Sequence, residues 1–167
     1  MTSPLRRHLL RWIAFETAVG VPLVFAVLRT KGAQPPLLRV DGAWVRATVE
    51  GQTGSGAYAR LTARENLQLV GASCALAEKV EIHEMREVNK LMTMRRIENL
   101  ALPANTEVAL EHERHIMLIG LKEQLIAGKT LAFQLKVRDA AGKRHDIPVV
   151  APIRPLNTVE SAPAHHD

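Results

Sequence analysis

Residues 79–94 read Lys79-Val80-Glu81-Ile82-His83-Glu84-Met85-Arg86-Glu87-Val88-Asn89-Lys90-Leu91-Met92-Thr93-Met94. β-branched and long side chains alternate with charged ones on both sides of a short polar interruption, which predicts two strands joined as a hairpin. Residues two apart on a strand share a face, so His83 and Met85 lie on one side of the first strand and Met92 and Met94 on one side of the second. A turn centred between Val88 and Asn89 sets His83 opposite Met94 and Met85 opposite Met92. A two-residue loop at that centre conflicts with β-branched Val88, which resists positive φ, so a four-residue loop over residues 87–90 is expected. Glu84, Arg86 and Thr93 then point away, which leaves the donor face free of carboxylates.

Working outward, short β-type runs recur along the chain: 39–48, 57–62, 68–72, 79–83, 90–97, 107–110, 116–120, 131–137 and 145–151. In Phe133-Gln134-Leu135-Lys136-Val137 the apolar residues share a face. Turn chemistry separates the runs at residues 51–56, 103–105, 127–128 and 139–142. Residues 118–126 also admit a short helical reading. With no helical crossover in the series, the fold class is all-β, an antiparallel sandwich of Greek-key type.

All four methionines beyond Met1 fall among residues 85–117, as Met85, Met92, Met94 and Met117, interleaved with His83 and His115. The pairs His83/Met85, Met92/Met94 and His115/Met117 are each two apart. Thioether and imidazole donors without thiolate or carboxylate favour Cu(I) over zinc, magnesium or calcium. His115 follows a charged loop and opens an apolar run, which suits an exposed position at a sandwich edge or end. The competing reading of each methionine is core filler. Met85 and Met92 serve either as an auxiliary soft pair or, the preferred reading, as shielding.

Composition removes other classes. The sequence pI is 9.8, yet residues 1–35 hold five Lys or Arg against one Glu, while residues 36–167 hold seventeen against sixteen Asp or Glu. The basicity belongs to the leader. With Trp44, Tyr58 and Phe133 as the body's aromatics, no basic stacking platform for nucleic acid is visible. A single cysteine, Cys74, excludes an intrachain disulfide and paired-cysteine zinc or redox motifs, and is read as a structural thiol. His112 is a solvated loop residue, and Glu81, Glu84 and Glu87 form a solvated face. No catalytic triad order or phosphate loop is present, so the chain is not read as an enzyme.

Arg6, Arg7 and Arg11 precede an apolar stretch, residues 12–28, broken by Glu16. Such flanks predict export of the rest of the chain, with the stretch as a cleaved signal or an inner-membrane anchor. The expected organisation is a signal peptide or hydrophobic anchor helix at 1–29, a linker at 30–37, a β-sandwich at 38–154 and a tail at 155–167 whose His165-His166 is a further metal-capturing candidate.

The chain resembles the periplasmic copper chaperones called PCuAC, whose motif reads His-x10-Met-x21-His-x-Met. Here the pattern is His83, ten residues, Met94, twenty residues, then His115-Ile116-Met117, one residue short in the second spacing. Ala43-Trp44-Val45-Arg46, Gly56-Ala57-Tyr58, Leu69-Val70-Gly71, Val80-Glu81-Ile82-His83-Glu84 and Leu102-Pro103-Ala104 also look like family positions. The resemblance implies a cupredoxin-like sandwich and Cu(I) bound by His83, Met94, His115 and Met117. It further implies periplasmic copper delivery towards the CuA centre, with a Sco-type copper protein and cytochrome c oxidase subunit II as partners. Copper buffering without dedicated delivery and a metal-free interaction sandwich are the alternatives.

Overall fold

The computed structural model describes residues 35–88, 90–111 and 113–157. The predicted leader and membrane-attachment stretch, His112 and the tail histidines lie outside them. Ten strands occur in the described residues: β1 Leu38–Arg46, β2 Gly54–Ala63, β3 Leu67–Ser73, β4 Ala77–Val88, β5 Leu91–Ile97, β6 Leu100–Leu102, β7 Glu107–Leu110, β8 Arg114–Leu121, β9 Thr130–Asp139 and β10 Arg144–Arg154. Their order is β5-β4-β8-β2-β1-β10-β9-β3-β6, with β7 also on β2. Pairing is antiparallel except between β1 and β10, which run parallel at Val45↔Ile153 and Arg46↔Arg154. The rest of β10 pairs antiparallel with β9, from Arg144↔Arg138 to Pro152↔Thr130. Strand β10 therefore joins the two halves of the sandwich, as the all-β reading requires.

Alternation builds the core. Along β9, Leu131, Phe133, Leu135 and Val137 are buried while their neighbours are not. From the other half come Val45, Ala57, Leu61, Ile82, Ile116 and Leu118, all in the same buried cluster. Each large aliphatic buried in this way contributes roughly 1.5–3 kcal/mol relative to exposure.

Three details differ from the sequence expectation. Strand β6 went unread because three residues are too few to display a period; it pairs Leu67↔Leu102 and Leu69↔Leu100. Residues 118–126 form no helix: β8 runs to Leu121 after Gly120, at φ 68°, breaks its alternation. The following loop plugs buried Leu125 into the core and donates the Leu125 amide to Thr48 Oγ1 at 2.9 Å.

The third detail is a β-bulge in β1. Asp41 pairs with Arg60 but Trp44 pairs with Tyr58, so Gly42 and Ala43 together oppose Ala59. Gly42 sits at φ 58°, a left-handed conformation that glycine adopts without a Cβ penalty. The extra residue reverses which side chains face inward. Leu38 and Val40 point to the core before it, and Val45 does so after it. Trp44 is thereby turned onto the outer face of the β5-β4-β8-β2-β1 half.

Candidate metal centre

That outer face holds every sequence-predicted donor among the described residues. Strand β8 lies between β4 and β2, and its register sets His83 opposite His115 and Glu81 opposite Met117. The ring centroids of His83 and His115 are 6.2 Å apart. On the other side of β4, strand β5 places Arg96 opposite His83, Met94 opposite Met85 and Met92 opposite Glu87.

This hairpin register corrects the expected one by two residues. Val88 pairs with Leu91, and the left-handed residue is Lys90 at φ 64°. The objection to a two-residue loop was that Val88 would need positive φ; moving the centre to residues 89–90 removes it. A shift of two preserves the face, so His83, Met85, Met92 and Met94 still share one side. Met94 now lies diagonal to His83, about 7–8 Å away at the Cα level for such a pair.

His115 also departs from expectation. It is the second residue of an interior strand and only 7% exposed, not an exposed edge residue. Burial, reinforced by the electrostatic influence of nearby His83 and Arg46, holds its pKa below the ordinary 6.5. The imidazole is thus biased toward the neutral form, the form that offers a lone pair to a metal.

His83 is fixed differently. Its Nε2 lies 2.9 Å from Glu81 Oε2, and its Nδ1 is buried with no hydrogen-bond partner. A neutral imidazole that donates Nε2–H to a carboxylate presents an unprotonated Nδ1, and a buried acceptor left empty is costly. Pairing one ring nitrogen with a carboxylate is the usual way to orient a metal-binding histidine. The residues present therefore fit a soft metal ion: an empty Nδ1, a neutral buried imidazole opposite, and thioethers on the same face.

Glu81 was missed as a site residue, and the expectation of a carboxylate-free donor face fails because of it. The hydrogen bond from His83 is the main reason its pKa falls below the usual range; partial burial opposes this, and Arg96, with Nη1 at 3.6 Å, assists it. Its position two before His83 was the available clue. Arg96 was missed as well, because the expected register put Met94 in its place.

Behind His115 the rings continue across the sheet. Tyr58 lies 5.9 Å from His115 by centroid, and Trp44 stacks on Tyr58 at 4.3 Å. Arg46 and Arg154 lie over Tyr58 and Trp44 at 5.7 and 5.2 Å. Gly56 provides the floor: a Cβ there would come within 2.5 Å of the Tyr58 hydroxyl and 2.8 Å of its ring carbon. Gly54 lies beside Met117, whose Cε would be in ordinary contact, at 3.4 Å, with a Cβ placed there. Met117 is half-buried, whereas Met94 and Met92 are 46% and 62% exposed. Cys74 follows β3, and its half-buried thiol lies 3.7 Å from the Ala132 carbonyl of β9.

A family model described as "Putative lipoprotein LpqE-like" matches residues 38–149. The chain belongs to this LpqE-like family. A protein of Leifsonia xyli subsp. xyli described as "Putative lipoprotein Lxx21020" is 31% identical over 134 residues, covering 79% of each chain. Among solved structures, the Cu(I) form of DR1885 from Deinococcus radiodurans is 28% identical with a TM-score of 0.56, over 76% of this chain and 85% of that one. The copper-bound PCuAC domain of PmoF2 is 19% identical with a TM-score of 0.56, over 72% and 94%. The PCuAC resemblance and the all-β fold read from the sequence are both borne out by this LpqE-like chain.

Proposed function

We propose that this protein is an extracytoplasmic copper carrier that holds one Cu(I) ion with His83, Met94, His115 and Met117 and passes it on by ligand exchange. The observation that carries this reading is the empty, buried Nδ1 of His83, on a ring whose centroid lies 6.2 Å from that of buried His115 on the adjacent strand. Support also comes from two structural relatives described as copper-bound. Two imidazoles and two thioethers are neutral, so the bound ion keeps its single charge, and thioether sulfur favours the reduced ion. Such donors persist where free thiols would oxidise. A binding face open at Met94 suits transfer better than storage.

The recipient we propose is the CuA centre of cytochrome c oxidase subunit II, in concert with a Sco-type copper protein. Periplasmic placement would come from residues 12–28, as a signal or an inner-membrane anchor. Although the relatives are described as lipoproteins, the cysteine of this sequence, Cys74, lies within the sandwich and directly after β3.

An anaerobic Cu(I) competition titration of the full chain against a chromophoric chelator tests the site, alongside Met94→Leu, Met117→Leu and His83→Ala. Tight uptake of one equivalent by the parent, weakened in variants that keep the parental melting temperature, is expected. Equal and weak binding by all four proteins would sink the proposal. Delivery is tested separately: loss of oxidase activity confined to copper-limited cells lacking the protein favours it, and unchanged activity there excludes it.

A further inference from the structure

Strands β4 and β5 outrun their neighbour. The last β4–β8 pair is Glu84↔Arg114, whereas β4–β5 pairing continues to Val88↔Leu91. From Met85 outward the hairpin is a two-stranded ribbon, pinned at its base by the Met85 amide donating to the Glu113 carbonyl at 2.7 Å. Both faces of this ribbon expose large apolar residues, and they differ in kind. One face ends in Val88 and Leu91, 52% and 70% exposed. The other, the site face, presents Met85, Met92 and Met94, with Glu87 opposite Met92 and no aliphatic among them. Exposure alone does not explain a preference for thioethers on one face and branched aliphatics on the other.

We propose that Met85, Met92 and Met94 form an outer soft-metal site, a thioether ladder that takes up a monovalent Cu(I)-like ion before or after it occupies the histidine pair. This rests on the reading of His83, His115 and Met117 as the inner site, with Met94 common to both. Met85 and Met94 are directly opposed, with Cβ atoms about 4.5–5.5 Å apart for such pairs, and Met92 lies on the diagonal from Met85. Long, flexible thioethers at those separations converge on one ion. Transfer inward forms a Cu–N bond to His83 as a Cu–S bond to Met85 or Met92 breaks, while Met94 stays bound. All donors are neutral, so the ion keeps its charge and no electron or proton moves.

Silver(I), a redox-inert soft ion, is the probe, titrated into the full chain carrying 13C-methyl methionine. The first equivalent is expected to move the Met94 and Met117 methyl resonances, and the second those of Met85 and Met92. The Met85→Leu/Met92→Leu variant, altered only at ribbon positions, should keep the first equivalent and lose the second. Stationary Met85 and Met92 resonances at two equivalents, or undiminished uptake of two by the variant, would overturn the outer site. Movement of Met85 and Met92 with Met117 unmoved would instead overturn the inner site and leave the ladder standing.

Discussion

The β9–β10 half and the β4–β5 hairpin are both antiparallel pairs with alternating side chains, yet they use alternation for opposite ends. Along β9 every second residue is buried from Leu131 to Val137, and the exposed partners are polar or small. Along β5 no residue from Leu91 to Arg96 is buried, although three of them are Leu91, Met92 and Met94. Periodicity in the first case reports a core; in the second it reports the face proposed here to hold the metal. The chemical difference between Leu and Met matters here, since a methionine sulfur can ligate a soft ion and a leucine cannot.

Breaking the core half should cost the most. Leu135→Ala removes a 1%-exposed side chain and is expected to destabilise the fold by about 2–5 kcal/mol. Chemical denaturation measures this, and Cu(I) affinity of the still-folded fraction should be unchanged. An affinity that fell with stability would couple the two regions and end the contrast.

The floor of the site comes next. Gly56→Ala sets a methyl against the Tyr58 ring and is expected to cost about 1–3 kcal/mol. Because Tyr58 adjoins His115, the His115 ring resonances should shift as well. A variant with parental stability and spectrum would mean that the ring row does not support the site.

Glu81→Gln sharpens the comparison at the donor face. Loss of the carboxylate that orients His83 should weaken Cu(I) binding about 10- to 100-fold with little change in melting temperature. Equal affinity would remove Glu81 from the site.

Acid separates the halves by pH. His115 has a folded pKa below its ordinary 6.5, so the unfolded chain binds its proton first, and stability declines as pH falls from 6.5 toward the folded value. Asp139 has a folded pKa lowered chiefly by its hydrogen bond with His145, so its contribution holds above 3.8 and disappears only below that. Melting temperature followed against pH should show the site-side loss first, and His115→Gln should abolish that phase alone.

Much of this was legible in the sequence because face parity survives errors of register. Reading His83 opposite Met94 was wrong by two residues, and the donor face came out right regardless. What parity cannot supply is the identity of the facing residue, which is why Arg96 stands opposite His83 in place of Met94, and Met94 opposite Met85 in place of Met92. The burial of His115 was hidden because its exposure depends on β2 and β4 flanking β8, a long-range fact. Trp44 was hidden for another reason: the bulge at Gly42 inverts the alternation of β1, and an inversion is visible only once β2 is laid beside it.

The same bulge constrains how the sequence can be inherited. Most side chains on β1 can be exchanged without moving their neighbours, and at the bulge their number can also change once. Losing Ala43 alone would set Gly42 opposite Ala59 and leave Trp44 opposite Tyr58 and Val45 opposite Ala57, so the bulge would disappear while both faces were kept. A lineage carrying this protein should therefore tolerate loss of one residue at positions 42–43, whereas loss of a second would carry Leu38 and Val40 out of the core or Trp44 into it.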